Sequence, residues 1–283
     1  MWNQIKTALL LGALSGLIIA TGKLLFGMQG LTLAAILAIA LNFGMYFFSH
    51  KLVLKMYKAM PATRKEHPQM HKIIEELSKE IKLPKPKLYI IPTSTPNAFA
   101  TGPNPKKAVV ACTQGILSML DERELRGVLA HEMSHIKNRD MLVTTIAATM
   151  SAIISYIAQM AQFAAIFGGR DEGGAMRAFS TLAIAITTPI IAAILQLAIS
   201  RSREYLADER GAKTTKDAKA LASALLKLER GCKQTPLQGN SATSSLFIIN
   251  PFKTQGLQGL FSTHPPTSKR VERLERIQQK IQH

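Results

Sequence analysis

Four long apolar runs dominate this chain of 283 residues and limit what it can fold into. Ile5 to Met28 and Leu31 to Phe48 are each about long enough, as helices rising ~1.5 Å per residue, to cross a hydrocarbon layer of roughly 30 Å. Little more than Gln29-Gly30 separates them, so they form an antiparallel hairpin. Met141 to Phe167 and Ala178 to Ser200 make a second pair, joined by the glycine-rich stretch Gly168 to Met176. Thr144, Thr145, Ser151, Ser155, Gln159 and Gln162 dilute the third run, and Pro189 interrupts the fourth. Such residues are tolerated in a bilayer where side chains or neighbouring helices satisfy the backbone. A buried soluble hairpin is the competing reading of this second pair. For the first run the competitor is a cleaved signal peptide. That run exceeds a usual signal core, no small-x-small site ends it, and a second apolar segment follows at once.

Net charge is +17, yet the basic residues are not spread as a nucleic-acid surface would require. All but four of the 35 Lys and Arg lie in residues 50 to 140 and 201 to 283; the others are Lys6, Lys23, Arg170 and Arg177. Basic segments stay on the cytoplasmic side, so both hairpins project away from it, and attraction to anionic lipid accounts for the charge. Lys23, near the end of the first run, snorkels towards the headgroups. No aromatic-interleaved basic motif accompanies the charge. The two cysteines, Cys112 and Cys232, show no CxxC spacing and fall in segments assigned to the reducing side. Cys112, within Val109-Val110-Ala111-Cys112, reads as a small buried residue.

The chemistry is carried by His131-Glu132-Met133-Ser134-His135, an HExxH pentad. On a helix the two histidines lie one turn apart on one face, where both can ligate a single ion while the glutamate stands beside the open position. The segment from Asp121 to Asp140 supplies that helix: it opens on acidic residues, lacks Pro, and carries Leu125, Val128, Leu129, Met133 and Ile136 at helical spacing. A catalytic zinc takes three protein ligands and keeps one position for water, so a third must come from elsewhere. The metzincin pattern needs Gly at 138 and His at 141, where this chain has Asn138 and Met141. Glu204 stands out among the downstream acids because Asp208 follows one turn later. Glu204 can ligate while Asp208 orients a ligand histidine. A solvated charged helix start is the alternative for this stretch. The even number of crossings between His135 and Glu204 returns the chain to the same face, so the three can meet.

Helical periodicity also marks Pro68 to Leu83, Lys216 to Arg230 and Pro266 to Ile281, while Gly231 to Ser245 reads as a polar loop. Lys87 to Ile91 and Lys107 to Cys112 read as short strands. The Asn97 to Gly102 stretch between them includes Asn97, Ala98, Phe99 and Ala100, the expected substrate edge, which can pair with an extended peptide through main-chain hydrogen bonds. The layout is an N-terminal transmembrane hairpin (1–50), a first catalytic part with the pentad (51–140), a second transmembrane hairpin (141–200) and a second catalytic part with the third ligand (201–283). The fold class is α+β and mainly helical: a zincin-like domain of the gluzincin kind with a small sheet, plus four transmembrane helices.

Asn97 to Gly102 (NAFATG), AHEMSHIKNRD around the pentad, Ser202 to Asp208 (SREYLAD) and Leu260 to Pro266 (LFSTHPP) with Arg270 resemble the motifs of the HtpX family of membrane zinc proteases, relatives of the CAAX prenyl proteases. The match runs in order through nearly the whole chain. It implies a cytoplasm-facing endoprotease of the bacterial inner membrane that degrades misfolded membrane proteins, with one Zn2+ held by His131, His135 and Glu204 and with Glu132 as the base. His264 is then a candidate donor to the developing oxyanion, or else a brace for the last helix. Arg270 is expected to hold a carboxylate of the site. A CAAX-type prenyl protease and a non-catalytic zinc-binding membrane scaffold are the alternatives; the first needs more membrane helices than four, the second the loss of Glu132.

Overall fold

The computed structural model describes residues 2–167, 200–252 and 264–282. Helix α1 (Trp2–Met56) reverses direction at Gly27, whose φ of 63° and ψ of −144° suit only a residue without a side chain. Its two halves run antiparallel, with the Asn42 amide donating to Ser15 Oγ at 2.7 Å. The reversal thus falls slightly before the expected Gln29-Gly30, and the second half continues past Phe48 to Met56. Among the described residues, Gly27–Met56 is the helix long and apolar enough to cross a membrane, and Leu33, Ile36, Ile39 and Phe43 on it are exposed. Ile5–Ala20 and Met141–Tyr156 are shorter apolar helices. The expected fourth span, Ala178 to Ser200, lies outside the described residues but for Ser200, as does the connection Gly168 to Met176.

After α1 come β1 (Met60–Pro61), α2 (Pro68–Glu80), β2 (Lys87–Ile91), β3 (Ala98–Thr101), a 3-10 turn (Pro105–Lys107), β4 (Val109–Thr113) and α3 (Gln114–Met119). Then follow α4 (Glu122–Asn138), α5 (Met141–Phe167), α6 (Arg201–Thr215), α7 (Ala218–Gln234), a second 3-10 turn (Ser241–Leu246) and α8 (Thr267–Gln282). The sheet order is β1-β2-β4-β3, with β2 and β4 parallel and both outer pairs antiparallel. Val110 and Cys112 turn to the main core with α2, α4, α7 and α8, while Val109 and Ala111 turn to a second core with Phe99, Phe247 and the end of α1. Both faces are buried, which explains why β4 reads as a continuous apolar run rather than an alternating one. The segment 98–101, where residues 97–100 were expected as an edge strand, forms the edge strand β3 beside β4. The polar stretch 231–245 is partly ordered, since α7 runs to Gln234 and the second 3-10 turn begins at Ser241.

Helix α5 packs on the N-terminal hairpin: Val143, Ile146, Ala147 and Met150 meet Leu10 and Met45. Its hydroxyls do not break it. Thr144, Thr145 and Thr149 each donate to the carbonyl four residues back, at 3.0, 2.6 and 2.8 Å, so the polar atoms are satisfied inside the helix. Helix α4 starts on a capping box in which Asp121 and Glu124 satisfy each other's backbone N–H. It ends at Arg139, in the left-handed conformation, which turns Asp140 back so that its N–H meets the His135 carbonyl.

Helix α6 lies against α4 with almost no space between the backbones. A Cβ added at Gly211 would sit 3.0 Å from the His131 nitrogen, with Ala130 and His131 backbone atoms as its other neighbours. Glu204, Asp208 and Gly211 are spaced i, i+4 and i+7, so the contact that needs glycine lies on the same face as the two acids. Gly211→Ala is therefore expected to lower the melting temperature, because overpacking against a helix backbone costs about 1–3 kcal/mol and exceeds the ~1 kcal/mol gained in helix propensity. Gly44→Ala, where nothing lies within 4 Å, is the reference that should not lose stability. Thermal unfolding followed by circular dichroism compares the two.

Candidate metal centre

The helix spacing and the α4–α6 contact bring His131, His135 and Glu204 together, each offering one ligand atom within 4.8 Å of the others. His131 Nε2 and His135 Nε2 are 3.1 Å apart, and Glu204 oxygens lie 3.8 and 3.6 Å from them respectively. Ligands bonded at about 2.0–2.2 Å in a tetrahedron stand roughly 3.3 Å apart, so the donor set is close to what one ion requires. Glu204 Oε2 is buried and accepts no hydrogen bond among the described residues, although His264 Nδ1 is 3.3 Å from it. One Glu204 oxygen thus faces His131 and the other faces His135, and a carboxylate set between two imidazole nitrogens fits a divalent cation.

Each imidazole is oriented from behind. Asp208 Oδ1 lies 2.9 Å from His131 Nδ1, and both Asp140 oxygens lie 3.2 Å from His135 Nδ1. Both far nitrogens thus face carboxylates and both Nε2 atoms face the centre. Arg270, fully buried, grips Asp208 with two hydrogen bonds of 2.8 and 2.7 Å and donates a third, 2.8 Å long, to the Ile248 carbonyl. Burial opposes the charge on Asp208, but this guanidinium holds its carboxyl below the usual range. Burial pushes His131 down, against the pull of Asp208, which favours the neutral ring a metal needs. For His135 burial also disfavours charge, yet Asp140, Glu204 and Glu132 outweigh it and raise the ring to about 10. The same carboxylates that favour positive charge on His135 would favour a divalent cation at this position.

Glu132 points into the same cleft, which Ala100, Asp140, Met141, Thr144 and residues 245–248 also line. Burial raises its carboxyl to about 7, Glu204 adds to the rise, and His135 and a hydrogen bond from the Ala100 N–H oppose it. A carboxyl poised near neutrality can exchange a proton in either direction. His264 sits beside Glu204 with its other nitrogen, Nε2, 3.3 Å from the Ser244 carbonyl. Both ring nitrogens thus face protein oxygens, a different setting from the open donor that an oxyanion needs.

The expected substrate edge is present as β3, but its outward groups are engaged. Ala98 C=O accepts from Ile248 N–H at 3.2 Å, Ala98 N–H reaches the Asn97 side chain at 3.1 Å, and Ala100 N–H is held by Glu132. Asn97 anchors the neighbouring segment by donating to the Ile249 carbonyl at 2.7 Å. Asp140 is the residue that reading the sequence passed over. Its signal was an acid immediately beyond the HExxH helix, but the left-handed turn that brings it back is a tertiary fact.

Asp140→Asn is expected to weaken divalent metal binding by roughly 10–100-fold, as loss of a carboxylate behind a ligand histidine generally does. Asp208→Asn should do the same and also destabilise the fold by about 3–5 kcal/mol, because Arg270 is left buried without its partner. Competition with a chelating dye reads the first effect, and denaturant unfolding separates the two variants.

Residues 64–278 match the model of Peptidase family M48. A "Protease HtpX homolog" of Syntrophobacter fumaroxidans is 47% identical over 281 residues, covering 97% of this chain and 99% of that one. One of the same name from Aquifex aeolicus is 50% identical over 273 residues, covering 94% and 90%. Among solved structures, S. mikatae Ste24p superposes with a TM-score of 0.52 at 19% identity, over 96% of this chain. This chain spans 65% of the length of Ste24p, and at that identity the likeness concerns the fold. With a His-His-Glu constellation beside a buried glutamate, and relatives this similar along their whole length, the chain belongs to peptidase family M48 and is a metalloprotease of the HtpX kind.

Proposed function

We propose that the protein is a membrane-integrated zinc endopeptidase that cleaves misfolded or damaged membrane proteins at the cytoplasmic face of the bacterial inner membrane, as part of quality control under stress. The observation that carries this reading is the buried Glu132, raised to about 7 and directed into the cleft that His135 and Glu204 also line. His131, His135 and Glu204 would hold one Zn2+, whose Lewis acidity makes water a nucleophile near neutral pH and polarises a carbonyl. Glu132 takes the proton from the attacking water and delivers it to the departing amide nitrogen. Ala100 N–H fixes the carboxyl for both transfers. Asp208 and Asp140 hold the ligand rings, and Arg270 holds Asp208.

The membrane part of the reading draws on the apolar exposed helix Gly27–Met56 and on the basic segments at either end of the catalytic part. Helix α5 starts three residues after α4 ends, so the cleft, lined by Asp140, Met141 and Thr144, opens at the first turn of an apolar helix. That location favours substrates presented at a bilayer surface. The scaffold alternative has no use for a buried carboxyl at Glu132. The CAAX alternative rests on a likeness that extends to fold alone.

In detergent-purified protein, Glu132→Gln should keep stoichiometric zinc in elemental analysis and lose casein cleavage by at least the 100-fold that a positioned acid–base group supplies. Wild-type cleavage by this variant would remove Glu132 as the base. Glu204→Ala should lose both zinc and activity. His264→Ala discriminates between its two roles: lowered metal affinity together with lowered kcat marks a residue that positions Glu204, whereas unchanged metal content with a kcat loss of about 100-fold marks an oxyanion donor.

A further inference from the structure

The first 65 residues contain no Asp or Glu, and neither do residues 81 to 120. The fold lays these acid-free stretches side by side. Val53 and Leu54 at the end of α1 pack with Val109 of β4, so the 3-10 turn Pro105–Lys107 that leads into β4 stands beside the last turns of α1. Lys51 and Lys55, one helical turn apart, and Lys106 and Lys107 on the 3-10 turn are all exposed. None of the four is in an ion pair among the described residues, whereas Arg64, Arg123 and Arg126 each hold a carboxylate. Lys51 and Lys107 are the charged groups that bear on His50, whose Nδ1 is buried without a hydrogen-bond partner among the described residues.

This basic collar overlaps the last turns of the exposed apolar surface of α1, where Leu52 and Met56 stand among the lysines. Phe43, Phe47 and Phe48 are exposed, and the Lys51 ammonium lies 5.2 Å from the centre of the Phe48 ring. Aromatic rings followed by unpaired ammonium groups are what a helix presents at the boundary between acyl chains and headgroups. Four like charges with no acid nearby repel one another unless an anion is supplied from outside. Phosphate diesters in the adjoining leaflet match that need in charge, depth and donor chemistry.

We propose that the collar of Lys51, Lys55, Lys106 and Lys107 is a docking site for the phosphate groups of anionic phospholipids, with His50 as a further donor. The site rests on the membrane reading above. It ties the end of the spanning helix and the start of β4 to one row of headgroups, and so sets the depth at which the sheet and the cleft beside it stand.

The test uses the full chain in phosphatidylcholine vesicles carrying trace spin-labelled phosphatidylglycerol or spin-labelled phosphatidylcholine. The motionally restricted fraction reports lipid held at the protein surface. The wild type should restrict phosphatidylglycerol at least about fivefold more than phosphatidylcholine, and K51Q/K107Q should lose about fivefold of that preference, the equivalent of ~1 kcal/mol for one lysine. K213Q/K233Q, which alters two lysines that pair with Glu209 and Glu229, should keep it. Equal restriction of the two lipids by wild type, or an unchanged preference in K51Q/K107Q, overturns the proposal while leaving the membrane reading intact. No restricted fraction with either lipid overturns both. Loss of the preference on adding inorganic phosphate would assign the collar to free phosphate and overturn the lipid site.

Discussion

A single buried guanidinium joins several separate elements of this protein. Arg270 comes from the last helix, its carboxylate partner Asp208 from α6, its carbonyl partner Ile248 from the segment along the cleft, and Asp208 in turn orients His131 on α4. A charge with no exposure is tolerated only when every donor is matched by an acceptor of fixed position. The pair therefore selects one arrangement of four elements rather than adding much net stability. Satisfying Arg270 and orienting His131 are one structural event, since any shift of the last helix misdirects the imidazole.

The electrostatics of the cleft follow from that arrangement. Four carboxylates, Glu132, Asp140, Glu204 and Asp208, stand around two ligand imidazoles and one guanidinium. They divide by partner. Asp208 is held ionised by Arg270, and Glu204 is held well below the carboxylate range by His264, His135 and His131 in spite of its burial. Glu132, where burial and the Glu204 charge outweigh His135, the Ala100 N–H and Arg270, is the one pushed up to about 7. Environments that push like groups apart assign them different tasks.

Amphipathic helices were legible in the sequence because their period survives in any context: α2, α4, α7 and α8 lie within a few residues of where periodicity puts them. β2 was equally legible. The edge strand expected at Asn97 to Ala100 corresponds to β3, Ala98–Thr101, although its burial at every position leaves no alternation to mark its bounds. The hairpin reversal was placed at Gln29-Gly30 from composition, while the backbone reverses at Gly27, whose dihedral angles no sequence pattern announces. The grouping of His131, His135 and Glu204 was legible from spacing, and the Asp208 to Arg270 pairing in outline. Asp140 and the engagement of the β3 edge by Ile248 were not, since both depend on how the chain turns after an element ends.

His131, Glu132 and His135 reside on α4, and Glu204, which completes the His-His-Glu grouping, comes only after an apolar insertion that begins at Met141. During synthesis the chain emerges in that order, so His131, Glu132 and His135 are made well before Glu204. Glu204 joins the two histidines only when α6 packs on α4, a contact that passes through Gly211. The grouping is therefore shared between two stretches of chain that the apolar insertion keeps apart in sequence and that only the packed fold unites.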